Sequence, residues 1–273
     1  MITVLGGYGF VGSEYVRHFY DSAVVNDKHD YNIYTNDVLY FISTTHNYHI
    51  FDHPHLDIDT NLHTLITVLE NWRRFGGNGT FTFISSWFVY GNQEHQPVHE
   101  SVHCNPKGFY SITKRAAEQL LISYCETYDL KYKILRLANV IGKRDPSASA
   151  RKNALQYLIN KMKNNEPIEL YDGGDFYRDY IHVTDCARAI NLCIEKGEDN
   201  TIYNIGNGVP VRFYDIINDA YALIGSKSEI INIEQKEFHA KVQTKSMYLD
   251  NTKLKLLGYN QLYSTQDMLK GMI

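Results

Sequence analysis

Ile2-Thr3-Val4-Leu5-Gly6-Gly7-Tyr8-Gly9-Phe10-Val11-Gly12 opens with four apolar or β-branched residues and breaks at once into glycine. The first part reads as a strand. Ser13 to Tyr20, beyond the glycines, reads as a helix with Val16 and Phe19 turned inward. Glycines at 6, 9 and 12 allow a tight turn, close backbone approach to a pyrophosphate and close packing of helix on strand, while the helix N-terminus offers free N–H groups to an anion. Gly6, Gly9 and Gly12, with Phe10 and Val11 at the helix start, are therefore candidate residues for binding a dinucleotide.

Moving outward, Ala23-Val24-Val25-Asn26-Asp27 fits a second strand ending in the acid that would hold the adenosine ribose. Asp27 is the candidate and Asp30 the reserve, unless both are surface loop residues. Asp37-Val38-Leu39-Tyr40-Phe41-Ile42-Ser43 already reads as a buried central strand. A strand needs about 5 residues and a helix about 10. The helix–strand–helix unit expected after the second strand is therefore mostly missing, and the adenine side should be open. Ser43 and Thr44 would run beneath the cofactor. His46, His49, His53 and His55 crowd the next loop, but their spacing matches no common zinc pattern, and no metal is expected.

Asn61 to Phe75 reads as a helix with Leu62, Leu65, Ile66 and Leu69 inward, and Thr80 to Ser86 as a strand. A hydroxyl at the carboxyl end of a parallel strand faces the ligand crevice, which makes Ser86 a candidate for the reacting oxygen. Tyr110-Ser111-Ile112-Thr113-Lys114 begins a helix running to Tyr128, with Ile112, Ala116, Leu120 and Leu121 at helical spacing. Tyr110 and Lys114 share one face a turn apart, and a nearby ammonium would favour the phenolate, giving an acid–base pair.

These features together resemble the extended short-chain dehydrogenase/reductase family, in its nucleotide-sugar epimerase and dehydratase branch. The likeness rests on Gly6–Gly12, on Ser86 with Val89-Tyr90-Gly91, and on Tyr110 with Lys114. It continues in Leu135–Gly142, Arg178-Asp179-Tyr180-Ile181-His182-Val183, Tyr203-Asn204-Ile205-Gly206 and Leu249–Tyr259. It implies NAD, with NADP possible, and a nucleotide-diphosphate sugar as substrate. Ser86, Tyr110 and Lys114 would be catalytic, with Tyr110 and Lys114 also against the cofactor; Ser86, Asn139 and Arg178 would hold the substrate. It also implies a homodimer built from the helices Asn61–Phe75 and Tyr110–Tyr128. Where the family's dehydratases carry an Asp-Glu pair, this chain has Trp87 and Phe88, which cannot transfer protons, so dehydration is not expected.

The fold implied is α/β: a Rossmann-like, doubly wound parallel sheet, shortened after its second strand, with a smaller C-terminal α+β substrate lobe. The sheet domain takes residues 1–142 and 180–205, and the lobe 143–179 and 206–273. In the lobe, Lys143-Arg144-Asp145-Pro146-Ser147 is a polar loop, and Asn153–Lys163 and Phe213–Ile224 are helices. Arg178 offers a rigid donor fork to phosphate or pairs with an acid such as Asp179. Lys241 and Lys245 are surface lysines or second-phosphate ligands.

With 273 residues, 44% hydrophobic and 21% charged, the chain can bury a large core. A net charge of −4 gives no basic excess for nucleic acid, and no apolar run reaches the length of a membrane span. Cys104, Cys125, Cys186 and Cys193 include no Cys-x-x-Cys, and the chain reads as cytoplasmic and free of disulfides. The expected activity is NAD(P)-dependent epimerisation of a nucleotide sugar through a transient keto sugar. The rivals are an NADPH-dependent reductase of a 4-keto sugar and a non-catalytic dinucleotide sensor or scaffold.

Overall fold

The computed structural model describes residues 1–143, 145, 148–149 and 151–273. The polar loop expected over 143–147 falls partly outside these, at Arg144, Pro146 and Ser147. The first half contains β1 (Ile2–Leu5), α1 (Phe10–Phe19), β2 (Ala23–Val25), β3 (Asp37–Tyr40), α2 (Leu56–Ile58), α3 (Thr64–Phe75), β4 (Thr80–Ser86) and α4 (Phe109–Tyr128). Next come β5 (Lys131–Leu137), β6 (Asn139–Ile141), α5 (Ala154–Lys163), β7 (Ile168–Tyr171), β8 (Tyr177–Arg178), β9 (Tyr180–His182) and α6 (Val183–Lys196). The chain closes with β10 (Thr201–Ile205), β11 (Val211–Arg212), α7 (Phe213–Ile224), β12 (Ile230–Ile233), α8 (Glu237–Val242), α9 (Thr252–Leu256) and α10 (Thr265–Met272).

Six strands form one parallel sheet in the order β10-β5-β4-β3-β1-β2. Strands buried on both faces should be apolar throughout rather than alternating. β1 and most of β4 are buried along their length. α1 and α6 cover one face, joined by the Tyr15 hydroxyl donating to Asn191 Oδ1 at 3.3 Å and Thr184 Oγ1 donating to Glu14 Oε1 at 2.5 Å. α3 and α4 cover the other, over a core that includes Leu65, Trp72, Phe81, Phe83, Leu121 and Ile134.

The shortening read from the sequence is present. Residues 26–36 connect β2 to β3 as a loop with no strand or helix of its own. Side chains hold the loop in place. Asn26 Nδ2 donates to the Asp30 and Asn32 carbonyls at 3.0 and 2.8 Å, and Thr3 Oγ1 accepts from the backbone N–H groups of Tyr34 and Thr35 at 3.1 and 2.9 Å. β2 is left as a three-residue edge strand, half-buried throughout.

A second core, containing Ile141, Leu158, Ile159, Leu170, Ile217 and Leu269, belongs to the C-terminal elements. There β12 pairs with β7 and β6 with β9, both in parallel, and β11 pairs with β8 in antiparallel.

One inward assignment changes, that of Ile66 on α3. On α1 Val16 and Phe19 are half-buried and pack against the core as expected, beside the fully buried Tyr15. Ile66 of α3 is 42% exposed, and Ile112 and Leu120 of α4 are 48% and 39% exposed. The buried stripe of α4 instead runs through Tyr110, Lys114, Ala117, Leu121 and Cys125. Apolar character marks that stripe poorly, because two of its members are a tyrosine and a lysine.

The same helix carries a buried ion pair. Arg136 of β5 donates to both oxygens of Glu118, at 2.9 and 2.7 Å, and the Ser85 hydroxyl donates to Glu118 at 2.6 Å. Burial would raise the Glu118 carboxyl, but the Arg136 hydrogen bonds and charge outweigh it and hold it below the usual range. Both side chains are at most 1% exposed, so removing either strands a charge. Glu118→Leu is expected to cost about 3–5 kcal/mol. Urea unfolding would measure this, and a cost below about 1 kcal/mol would show the pair is not structural.

Candidate active site

A cavity of about 660 Å³ lies at the carboxyl ends of the central strands, bounded by the C-terminal lobe. Its first wall is the glycine turn. Gly6 has φ +79°, and a Cβ at Gly12 would lie 2.5 Å from the Gly6 carbonyl oxygen, so turn and helix approach as only glycine allows. The first N–H groups of α1 then face the cavity where a pyrophosphate would sit. Gly6, Gly9, Phe10, Val11 and Gly12 all line it.

Ser43 and Thr44 form the floor and are fixed by Asn61. Asn61 Oδ1 accepts from the Ser43 hydroxyl at 3.1 Å and the Thr44 N–H at 2.9 Å, while its Nδ2 donates to Thr44 Oγ1 and Thr113 Oγ1 at 2.8 and 2.9 Å. Thr44 Oγ1 also donates to the fully buried Asp57. Neither Asn61 nor Asp57 stood out in the sequence, since single polar residues on a helix give no periodic signal.

Ser86, Tyr110, Lys114, Asn139 and Arg178 line the same cavity. Burial raises the Tyr110 phenol above its ordinary 10; a hydrogen bond with Ser86 opposes this and the Asp57 charge adds to it. Lys114 is 2% exposed, donates to the Ile84 carbonyl at 2.6 Å and lies 4.1 Å from the Phe83 ring centroid. Burial lowers its ammonium from 10.5 to about 7, partly offset by Glu118. The expected depression of the Tyr110 pKa by Lys114 is therefore absent from this structure. Each group is desolvated, which disfavours phenolate and ammonium alike, and the amine is committed to Ile84.

Arg178 does not pair with Asp179. Its guanidinium donates to the carbonyls of Tyr177, Lys245 and Thr244, each at 2.9 Å, and lies over the rings of Trp87 and Phe176 at 5.3 and 4.5 Å. No carboxylate pairs with it among the described residues, and burial lowers it to about 10. Asp179 turns away, accepting from the backbone N–H groups of Asn207, Gly208 and Leu249 at 3.0–3.2 Å. A fixed cation facing a cavity without its own anion suits a phosphate. Asn139 Nδ2 donates to the Asp179 carbonyl at 3.0 Å.

Asp27 is not in the cavity wall; it is exposed just outside, accepting from the Tyr8 hydroxyl at 3.3 Å. Lys241 pairs with Glu237 at 2.5 Å, and neither Lys241 nor Lys245 lines the cavity. Of the four histidines only His46 does, stacked on His49 at 3.9 Å. No group of three metal-ligating side chains forms among the described residues. Also unforeseen is a bridge over the cavity, where the Tyr48 hydroxyl meets His239 Nδ1 of α8 at 2.5 Å. Joining a loop to a helix nearly two hundred residues later, it has no local signature.

The model of the NAD dependent epimerase/dehydratase family matches residues 37–206, more than half of the chain. The chain belongs to the NAD-dependent epimerase/dehydratase family. The match starts at β3, beyond the shortened segment. A candidate UDP-glucose 4-epimerase of Methanocaldococcus jannaschii is 27% identical over 304 residues, spanning 100% of this chain and 97% of that protein. The GDP-6-deoxy-D-mannose reductase of Pseudomonas aeruginosa is 27% identical over 183 residues, covering 66% of this chain and 60% of its own. Among solved structures, the UDP-glucose 4-epimerase of Thermotoga maritima with UDP-glucose superposes with a TM-score of 0.88, at 24% identity, over 99% of this chain and 96% of that one.

For this family member, the unfolded Lys114 holds its proton up to 10.5 and the folded one only to about 7. Between those values the unfolded chain binds more protons, so this group's contribution to stability rises with pH and its cost is greatest below 7. Lys114→Met is expected to raise the thermal midpoint at pH 7 by about 2–4 °C, with the gain shrinking toward pH 10. Calorimetry of the ligand-free protein would check this, and a midpoint below wild type at pH 7 would contradict it.

Proposed function

We propose that the protein is an NAD-dependent nucleotide-sugar epimerase working through a transient keto sugar. The observation that carries this reading is the convergence of the glycine turn, Ser86, Tyr110, Lys114 and the unpaired Arg178 on one cavity. The glycine cradle fits a dinucleotide pyrophosphate, and Lys114 would hold the cofactor's ribose near the nicotinamide. When bound, NAD supplies a reversible hydride acceptor.

In this reading Tyr110 takes the proton of a sugar hydroxyl and later returns one, and Ser86 hydrogen-bonds the same reacting oxygen. Tyr110 enters the cycle as a buried neutral phenol. It becomes a base when a bound ligand brings acceptors or negative charge that favour the Lys114 ammonium, whose charge in turn favours the phenolate. Arg178 and Asn139 anchor the nucleotide diphosphate, leaving the sugar free to present either face. Trp87 and Phe88, stacked at 4.1 Å, with Phe88 edge-on to Tyr110 at 6.1 Å, put apolar rings where the resemblance places a dehydratase's proton-transfer pair. The substrate lobe in this reading comprises residues 143–179 and 206–273.

Tyr110→Phe is expected to lower turnover of a responsive nucleotide sugar by about 10²–10⁴-fold while leaving the NAD dissociation constant unchanged. Incubation with a panel of nucleotide sugars, read by mass and NMR, identifies the reaction. A mass-neutral isomer supports epimerisation, and a two-hydrogen gain that needs added NADPH assigns the chain to the reductases instead. Turnover untouched by the substitution would overturn the tyrosine's role, and no turnover at all would favour a sensor.

The same reading includes a homodimer through α3 and α4. Ile66, Ile112, Leu120 and Tyr128 stay exposed on these helices. The two helices are tied together, with the Tyr124 hydroxyl donating to Glu70 at 2.5 Å and Arg73 donating to Tyr124 at 3.1 Å. Unpartnered apolar groups of this kind favour pairing with a second copy. Sedimentation should give twice the 31.6 kDa chain mass for the wild type and a monomer for a Leu120→Glu/Ile112→Glu double variant. A monomeric wild type would exclude the dimer.

A further inference from the structure

The shortened segment leaves a physical deficit at one end of the cavity. Where a further strand and its helices would extend the sheet, residues 26–36 form a loop folded back on Thr3 and Asn26. β2 is the sheet's edge, and Asp27, just past its end, lies outside the cavity wall. A dinucleotide seated on the glycine turn with its ribose at Asp27 would leave the base on open surface. An aromatic base exposed in this way contributes little to binding.

Tyr8 stands at that boundary. It occupies the middle of the glycine turn, lines the cavity and is 69% exposed. Its hydroxyl reaches Asp27 Oδ1 at 3.3 Å, so the ring bridges from the pyrophosphate turn to the acid that ends β2. A large ring held over solvent gains little from burial in the ligand-free protein. It is placed where a planar base would otherwise meet only water, and an aromatic face is a sequence-tolerant partner for any base.

We propose that Tyr8 is an adenosine-binding residue: its ring packs on the adenosine half of the dinucleotide, replacing the wall lost with the missing segment, and its hydroxyl orients Asp27 toward the ribose. This rests on the dinucleotide reading of the crevice. Tyr8 does not touch the reacting atoms; it sets affinity, and it divides that affinity unequally between the two halves of the cofactor. The hydroxyl and the ring have separable tasks, since phenylalanine keeps the stack and loses only the bond to Asp27.

The test is titration calorimetry of the full chain with NAD, ADP-ribose and nicotinamide mononucleotide, on wild type, Tyr8→Ala and Tyr8→Phe. Loss of the stack should weaken ADP-ribose and NAD alike, by about 5- to 100-fold for Tyr8→Ala, with nicotinamide mononucleotide unaffected. Tyr8→Phe should keep most of the affinity. The residue is exposed, so both variants should retain the wild-type circular dichroism and thermal midpoint. Wild-type binding of ADP-ribose that survives Tyr8→Ala unchanged would overturn the proposal and leave the epimerase reading standing. Equal weakening of nicotinamide mononucleotide would also overturn it, by showing a disturbance of the whole turn. Failure of the wild type to bind any of the three would sink this proposal and the dinucleotide reading together.

Discussion

Glu118 is held from three sides, by Arg136 on β5, by Ser85 on β4 and by Arg115 on its own helix, at 2.6–2.9 Å. Buried charge tolerates little misplacement, because any shift leaves an ion desolvated without its partner. The pair therefore fixes the rotation and height of α4 against the sheet. Tyr110, Lys114 and Glu118 follow one another at intervals of four on the same helix face. Holding Glu118 under Ser85 brings Tyr110 to Ser86 and Lys114 to the Ile84 carbonyl. The chemistry of the site is thus positioned by an ion pair that does not line the cavity.

That scaffold presents its reactive groups in a resting form. Burial pushes the Tyr110 phenol up, so it stays neutral at pH 7, and pushes the Lys114 amine down to about 7, so it gives up its proton far more readily than a free lysine, because burial disfavours charge. Charging them costs desolvation energy unless both change together or a ligand brings compensating charge. Arg178 is different, a permanent cation satisfied only by carbonyls and ring faces. The cavity so combines a fixed cation with a buried phenol and a buried amine whose charged forms are both disfavoured by desolvation.

The order of elements, the glycine turn, the shortening after β2 and the cluster of Ser86, Tyr110, Lys114, Asn139 and Arg178 were all legible in the chain. The elements and the turn depend on short-range chemistry, from apolar runs that make buried strands, glycines that allow a turn and a four-residue spacing that shares a helix face, whereas the cluster as a set came from the family resemblance. The misreading was of burial. Ile66, read as inward on α3, is exposed, and on α4 the apolar Ile112 and Leu120 are exposed as well, where the sheet-facing side of that helix is taken by Tyr110, Lys114 and Glu118. Periodicity reports that a face is apolar and does not say what covers it.

By itself the sequence determined that this is a doubly wound α/β chain with a dinucleotide turn and a Tyr–Lys helix, since those properties arise between residues a few positions apart. Only the tertiary structure decided that Lys114 turns to Ile84, that Arg178 has no acid while Asp179 is held by backbone, and that Asp27 stands outside the cavity with Tyr8 at its edge. Each of these turns on desolvation and on partners far along the chain, such as Lys245 for Arg178 or Leu249 for Asp179. Burial is a property of the assembled layers, and charge in a protein takes its meaning from burial.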